Sequence, residues 1–414
     1  MLLIQKLPNK PSKNCLKLNQ KIAVIGQGYV GLPLAIAAAE AGFYVNGLET
    51  NENKVTMISS GVIPIEDMSS ARVIKQIKLG RYKVSNDFSV IKESSIIVIC
   101  VPTPLNADNQ PDLSFLNSSV TEISKYLTPG TLVILESTVE PGTTRNILLP
   151  ALTYGSNLNA DQIDVAFSPE RTDPTNKVWN LSTTPKIVSG ITELSRKRAS
   201  EFYSRFINKV IECDSPEIAE TAKLIENSFR FVNISFINEV SIFCNRLGID
   251  VEKVIDVAAT KPYGFMPFYP SIGVGGHCIP VDPLYLANKA REVGVLTRFI
   301  DLAEQVNKEM PGYFVDKAEE KLYGLINKKV LVIGVSYKPN VADVRESPVE
   351  ALVAGLKQKG AHVSWHDDLV KEWNGEKSVP LSGDFDLAIL ATPHDYLDLT
   401  KIGNVPILNT RGAI

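Results

Sequence analysis

The sequence predicts an α/β protein: two Rossmann-like domains with parallel sheets, joined by a helical central domain that contains a long connecting helix. Three observations carry this expectation. Short continuous apolar runs, the mark of strands buried on both faces, fall in two clusters, one from Lys21 to Leu135 and one from Lys329 to Ala391. A glycine-rich turn follows the first run directly. Between the clusters, Ile218 through Phe243 repeats apolar residues every three or four positions with few breakers, which is the period of a helix. The expected division is an N-terminal extension 1–20, a dinucleotide-binding domain 21–212, a helical central and dimerisation domain 213–324 and a C-terminal α/β domain 325–414.

Taken in order, Lys21 to Gly26 reads as a buried strand, Gly26-Gln27-Gly28-Tyr29-Val30-Gly31 as the turn, and the alanine-rich run to about Gly42 as the helix that follows. Tyr44 to Leu48 is a second strand, and it ends at Glu49, an acid placed to accept hydrogen bonds from an adenosine ribose. A lone GxGxxG pattern has many chance matches, but strand, turn, helix and spaced acid together specify dinucleotide binding by Gly26, Gly28, Tyr29, Val30, Gly31 and Glu49. The carboxylate of Glu49 would repel a 2'-phosphate, which selects NAD over NADP. The runs Ile96 to Val101 and Leu132 to Leu135 lead into Pro102-Thr103-Pro104 and Ser137-Thr138-Val139-Glu140-Pro141-Gly142, loops at strand carboxyl ends where an open sheet puts its ligands. In the second cluster Lys329 to Gly334 is a strand, Ser347 to Lys359 its helix, and Ala361 to His366 and Asp386 to Ala391 further strands.

Composition excludes several classes. The 414 residues are 44% hydrophobic and 21% charged, enough to build cores. A formal charge of -3 gives no basic field for nucleic acid or an anionic membrane, and neither a signal-type leader nor a membrane-length apolar stretch is expected. Five cysteines without close pairing suit a reducing cytoplasm. His362 and His366 lie in one strand, where four residues span about 13 Å, too far for two ligands of one metal; no metal set is expected. His394, at a strand end, is expected to meet nucleotide or solvent.

The chemical signal is the stretch Gly-Val-Gly-Gly-His-Cys-Ile-Pro-Val-Asp from Gly273 to Asp282. Cysteine is ordinarily a core residue, yet Cys278 sits among Gly273, Gly275, Gly276, Pro280 and Pro283, a loop poorly suited to hiding a thiol and well suited to close approach of a ligand. A thiol in a nicotinamide enzyme suggests oxidation through a carbon-sulfur intermediate. As a nucleophile it needs a cation or backbone donors to lower its pKa from about 8.5, and Lys223 is the candidate. Lys223 and Asn227 are four apart on the long helix and share one side of it, next to a polar stripe at Glu226 and Arg230, while Leu224, Ile225, Phe229 and Val232 supply the apolar face.

With these residues stand Glu136-Ser137-Thr138 through Thr143, Ser168-Pro169-Glu170-Arg171, Gly275 to Pro283, and Gly334 to Pro348 with Lys338 and Arg345-Glu346-Ser347. In this order, from Lys21 to Arg411, the chain resembles the nucleotide-sugar 6-dehydrogenases, the family of UDP-glucose, GDP-mannose and UDP-N-acetylhexosamine dehydrogenases. The resemblance implies a four-electron oxidation of a sugar C6 alcohol to a carboxylate with two NAD+. It implies Cys278 as nucleophile, Asp282 and Lys223 at the water that takes the first proton, Lys223 and Asn227 at the oxyanion, Glu170 as general base for thioester hydrolysis and Thr138 as a water-positioning residue. It also implies cofactor contacts at Pro102, Thr103, Thr138 and Arg345, and substrate contacts at Glu170, Arg171, Lys223, Asn227, Gly275, Gly276 and Lys338. Within the family, His277 to Leu286 and Ser168 to Arg171, followed by Asp173-Pro174, are most similar to the UDP-N-acetylhexosamine subgroup, and there to the N-acetylglucosamine enzymes, with UDP-N-acetylgalactosamine, UDP-N-acetylmannosamine and UDP-glucose as alternative substrates and a homodimer as the expected assembly.

The chain departs from the family at Ser271-Ile272, where a glycine is commoner, and at Glu49, where the usual acid is aspartate. A non-catalytic NAD-binding scaffold would leave Thr138, Glu170, Lys223, Asn227, Cys278 and Asp282 without a purpose. A two-electron hydroxy-acid dehydrogenase would have no use for Cys278.

Overall fold

The computed structural model describes residues 19–65, 68–173, 176 and 178–412. The extension before Asn19 and the Asp173-Pro174 pair, apart from Asp173, lie outside the described residues. Two compact units divide the chain between Lys223 and Leu224.

The first unit carries strands β1 (Lys21–Ile25), β2 (Tyr44–Leu48), β3 (Tyr82–Ser85), β4 (Ile96–Ile99), β5 (Leu132–Leu135), β6 (Asp164–Phe167), β7 (Lys186–Gly190) and β8 (Val210–Glu212). They form one sheet in the order β3-β2-β1-β4-β5-β6-β7-β8. Helices α1 (Gly31–Glu40), α2 (Glu52–Ser59), α3 (Ser70–Lys78), α4 (Ser114–Ser124), α5 (Leu149–Ser156) and α6 (Glu193–Tyr203) intervene. The continuous apolar runs are explained by burial on both faces. Ile22, Val24, Val98 and Ile134 enter one core, while Ala23, Ile25, Ile97, Ile99, Val133 and Leu135 enter the other, as the two-residue period of a strand requires. Because β1 starts in the middle, the chain winds outward first to β2 and β3 and then to β4 and beyond, so a crevice opens beside β1 at the carboxyl edge. One pairing breaks the parallel pattern: β7 runs antiparallel to β6, with Ala166 opposite Gly190 and Phe167 opposite Ser189.

Helix α7 spans Pro216–Arg246. Its packing departs from the expected apolar face. Leu224 is buried, but Ile225 and Phe229 are 54% and 48% exposed, while Lys223, Asn227, Ser228, Ser235, Asn238 and Ser241 are buried. Asn227, Ser235, Asn238 and Ser241 are hydrogen-bonded, which lowers the cost of burying them, whereas the Ser228 hydroxyl is buried without a partner. In the second unit, Ser235 Oγ donates to the Ala303 carbonyl at 3.1 Å, Asn238 Nδ2 to Asn307 Oδ1 at 3.2 Å, and the Ser271 amide to Asn238 Oδ1 at 2.8 Å.

The rest of that unit comprises α8 (Val251–Ala259), α9 (Asp282–Glu292), α10 (Arg298–Leu322), β9 (Lys329–Ile333), α11 (Val349–Gln358), β10 (His362–His366), a small hairpin of β11 (Glu372–Trp373) and β12 (Glu376–Lys377), then β13 (Leu387–Leu390) and β14 (Ile407–Asn409). Its parallel sheet has the order β10-β9-β13-β14. The turn after β9 repeats the geometry of the turn after β1. Gly26 and Gly334 have φ of +86° and +78°, and each amide donates at 2.8 Å to the last residue of the neighbouring strand, Leu48 or His366. The two halves are thus Rossmann-like domains, with the helical segment between them in sequence.

Candidate active site

The turn after β1 has the shape a dinucleotide needs. A Cβ on Gly26 would lie 2.6 Å from the Cys100 carbonyl oxygen, and one on Gly31 only 1.8 Å from the Gly26 carbonyl oxygen, so both positions exclude a side chain by packing. A Cβ on Gly28 would meet nothing within 4 Å, which leaves that backbone open to a phosphate. Val30 precedes α1 without a side-chain cap, and the first turn of the helix carries no acid, so the helix end favours an anion. Glu49 accepts the Gln27 amide at 3.2 Å and the Asn51 amide at 3.1 Å, and pairs with Lys54 at 3.1 Å. Burial pushes this carboxyl up, but the Asn51 amide and Lys54 more than offset it, and the group lies below its ordinary value. An ionised acceptor therefore stands at the end of β2.

Two further loops meet at this edge. Thr103 Oγ1 donates to the Thr138 carbonyl at 2.7 Å, and Ser137 Oγ to the Val101 carbonyl at 2.7 Å, so the Pro102-Thr103 and Thr138 loops are tied to each other. The carboxylate of Glu220, near the start of α7, accepts the amides of Gly142 at 2.6 Å and Thr144 at 2.9 Å and so fixes the far end of the Thr138 loop.

Glu170 follows β6 and is held at both oxygens. Oε1 accepts from the Thr172 amide at 2.6 Å, and Lys186 Nζ lies 3.2 Å from Oε2. Burial raises this carboxyl, but the Lys186 charge and the Thr172 bonds hold it down to about 2. It is an anion across the working pH range, a strong acceptor for water and a weak base. Arg171 turns its guanidinium to the Pro185 carbonyl at 2.7 Å. Lys186 itself was not among the residues the sequence singled out; a lysine beside a proline ahead of an apolar run gives no such signal.

In the second unit, Cys278 is exposed, and its carbonyl accepts the amide of Asp282, the first residue of α9, at 2.9 Å. Cys278 therefore stands one turn before the N-terminus of α9. Asp282 is buried and accepts Asn227 Nδ2 at 2.5 Å, which joins α7 to α9. Lys223 is buried rather than solvated and precedes Asn227 by one turn of α7, about 6 Å along the axis.

The glycines of the cysteine loop are required by the protein itself. A Cβ on Gly275 would come within 2.5 Å of the Glu346 carbonyl oxygen, and one on Gly276, at φ +86°, within 2.7 Å of the Tyr337 ring. The Lys338 and Arg345 segment thus lies directly against the cysteine loop. Arg345 Nε donates to Asp343 Oδ1 at 2.8 Å. His277 is depressed by burial and then by the Arg345 charge, so it faces this segment as a neutral imidazole. His394 is fully buried: its Nδ1 accepts the Asn340 amide at 2.9 Å and its Nε2 lies 3.1 Å from Asp367 Oδ2. The expectation that it meets nucleotide or solvent is replaced by a role in clamping the loop that carries Lys338. Cys100 is buried, with its thiol pushed up by burial and by Glu136.

Among the described residues no helix is long and apolar enough to cross a membrane. Comparison with known proteins gives consistent matches. Three models of the UDP-glucose/GDP-mannose dehydrogenase family match in sequence order: the NAD binding domain over residues 20–207, the central domain over 217–309 and the UDP binding domain over 331–411. The chain is 35% identical over 360 residues to a UDP-N-acetyl-D-glucosamine 6-dehydrogenase of Salmonella typhi, covering 84% of this chain and 82% of that one. It is 34% identical over 414 residues to a UDP-N-acetyl-D-mannosamine dehydrogenase of Methanocaldococcus jannaschii, covering 96% and 93%. A solved UDP-D-ManNAc dehydrogenase of Pyrococcus horikoshii superposes with a TM-score of 0.88 at 30% identity, covering 95% of this chain and 96% of that one.

Proposed function

The chain belongs to the UDP-glucose/GDP-mannose dehydrogenase family and is an NAD-dependent nucleotide-sugar oxidoreductase, and from that premise we propose a UDP-N-acetylhexosamine 6-dehydrogenase with UDP-N-acetylmannosamine as its first candidate substrate. The mannosamine reading is supported by the fold match at TM-score 0.88 and by the relative aligned over 96% of the chain. The N-acetylglucosamine reading, which the motifs favour, is supported by the 35% identical relative. The product is the corresponding uronate, an acidic building block for a surface polysaccharide or O-antigen, made in the cytoplasm where the thiol of Cys278 stays reduced.

The observation that carries the chemistry is an exposed Cys278 one turn before α9, whose first residue is the buried, hydrogen-bonded Asp282. The Gly28 turn and Glu49 would hold NAD, which would supply the hydride acceptor for two oxidations at C6. In the first, Asp282 orients a water that takes the C6 hydroxyl proton, and Lys223 offsets the charge. Cys278 Sγ then bonds to the aldehyde carbon, and Lys223 and Asn227 stabilise the alkoxide of the resulting thiohemiacetal. After the second oxidation the carbon is a thioester. Water, placed by Thr138 and Glu170, adds to that carbon and gives up its proton toward Glu170; the carbon-sulfur bond breaks and its electron pair stays on Sγ. Arg171, Gly275, Gly276 and Lys338 hold the nucleotide sugar, and Pro102, Thr103, Thr138 and Arg345 the cofactor.

We also place a second copy of the chain against α7. Ile218, Ile225, Phe229, Phe236 and Phe243 are between 48% and 62% exposed and recur at spacings of seven and four, an apolar stripe along one side of the helix. The function is tested by kcat/KM on the UDP-linked N-acetylated manno, gluco and galacto sugars and on UDP-glucose. Preference for an N-acetylated sugar supports the proposal, and preference for UDP-glucose overturns its substrate part.

A further inference from the structure

We propose that Lys186 is a positioning residue for thioester hydrolysis: its ammonium, braced by Glu136 and Tyr203, fixes the Glu170 carboxylate at the edge of the sheet where water is placed. The inference rests on the role given above to Glu170.

The reversal of β7 is what delivers this lysine. A parallel strand begins at the amino edge of its sheet, whereas β7 pairs antiparallel with β6, so residues before Val188 run past Phe167 toward the edge where β5 and β6 end. The register is pinned on both sides of the crossing: Ser189 Oγ donates to the Phe167 carbonyl at 3.0 Å and Ser168 Oγ to the Ile187 carbonyl at 2.7 Å. Lys186 therefore arrives between Glu136, the residue after β5, and Glu170.

Its Nζ lies 3.0 Å from Glu136 Oε2 and 3.2 Å from Glu170 Oε2, with the Tyr203 ring centroid 5.2 Å away. Tyr203 donates its hydroxyl to the other oxygen of Glu136. The lysine side chain is 4% exposed and that of Glu136 is 0% exposed, whereas Glu170 retains 15%. Of these side chains, Glu170 is the one that reaches the surface. Lys186 thus links the segment that runs on to Thr138 with the segment that carries Glu170, so two loops assigned to water placement share one buried charge.

The sharing is uneven. Burial raises Glu136 above its ordinary value despite Lys186, while Glu170 is held low. The groups that face Glu170 electrostatically are Lys186 and, behind it, Glu136, the Tyr203 phenol and the Cys100 thiol; burial pushes the last two up, so they are neutral. Without the ammonium, Glu170 would lose both its anchor at Oε2 and the charge that keeps it ionised.

The test combines rapid-mixing NADH measurements, mass analysis of Cys278 and a pH profile on Glu170→Gln, Lys186→Met, Lys186→Arg and the double variant Glu136→Gln/Lys186→Met. The double variant removes the buried cation together with one buried anion and so guards against a folding failure of the single change. For Lys186→Met or the double variant, the inference expects a burst of two NADH per site, a steady state slowed by about tenfold or more, an accumulated acyl adduct on Cys278, and an acid limb of kcat raised by about one pH unit or more. Lys186→Arg should restore most of the rate. If Glu170→Gln itself shows no burst and turns over normally, the role of Glu170 fails. If Glu170→Gln shows the burst but the folded Lys186 variants keep the normal rate and acid limb, the positioning role alone is overturned.

Discussion

Asn227 donates its side-chain amide to a buried oxygen of Asp282 at 2.5 Å, a bond between the long helix α7 and the turn that carries Cys278. Replacing Asn227 with Leu would leave the Asp282 carboxylate buried without that donor. Loss of one donor to a buried carboxylate costs about 1–3 kcal/mol, so urea unfolding should show a loss of that order along with a fall in kcat. An unchanged midpoint would show that the bond does not brace the turn.

Gly276 should not accept alanine. The new methyl would stand 2.7 Å from the Tyr337 ring, at a φ of +86° that already disfavours a side chain. We expect a loss of about 1–3 kcal/mol from the backbone alone and a lower kcat/KM for the sugar. Adding Tyr337→Ala should relieve the clash but not the backbone strain, so partial recovery in thermal unfolding is the expected result.

Acid stability should depend on Glu170. Its carboxyl is held near 2, below the ordinary value of 4.5, so the unfolded chain binds the extra proton between those values and stability falls as pH falls through that window. The contribution is fully present above about pH 5 and amounts to at most roughly 3 kcal/mol. Glu136 works in the opposite sense, because its raised pKa makes the folded state the better proton acceptor. The difference in unfolding free energy between the wild type and Glu170→Gln should therefore shrink from pH 6 to pH 3. A constant difference would contradict the pairing with Lys186.

Dimerisation is open to a simple check. Phe236→Glu places a charge in the centre of the apolar stripe on α7, where Phe236 is 60% exposed. Sedimentation should show a dimer for the wild type and a monomer for the variant. A wild-type monomer at working concentration would remove that assembly.

The inner strands of the two sheets were legible in the sequence because buried parallel strands are written as unbroken apolar runs, and the Gly26 turn because strand, glycines, helix and Glu49 occur in fixed order, whereas β3, β6, β7, β8 and β14 were not read. Residues defined by contacts across the fold were not legible. Lys186 gains its meaning only from the reversal of β7, which brings it to Glu136 and Glu170. His394 gains its meaning from Asp367 and Asn340, far from it in sequence. The outward turn of Ile225 and Phe229 was missed because periodicity marks apolar sides of a helix without saying what covers them, and α7 buries Leu224, Phe231 and Ile237 together with polar groups such as Asn227 and Asn238.

The central claim is that one chain carries a sugar alcohol through two oxidations on Cys278. The measurement that tests it most directly is the yield of NADH per nucleotide sugar consumed, with Cys278→Ser run beside the wild type. Two NADH per sugar with uronate as product, and no complete turnover in the serine variant, is the predicted result. One NADH per sugar, or full turnover without the thiol, would contradict it.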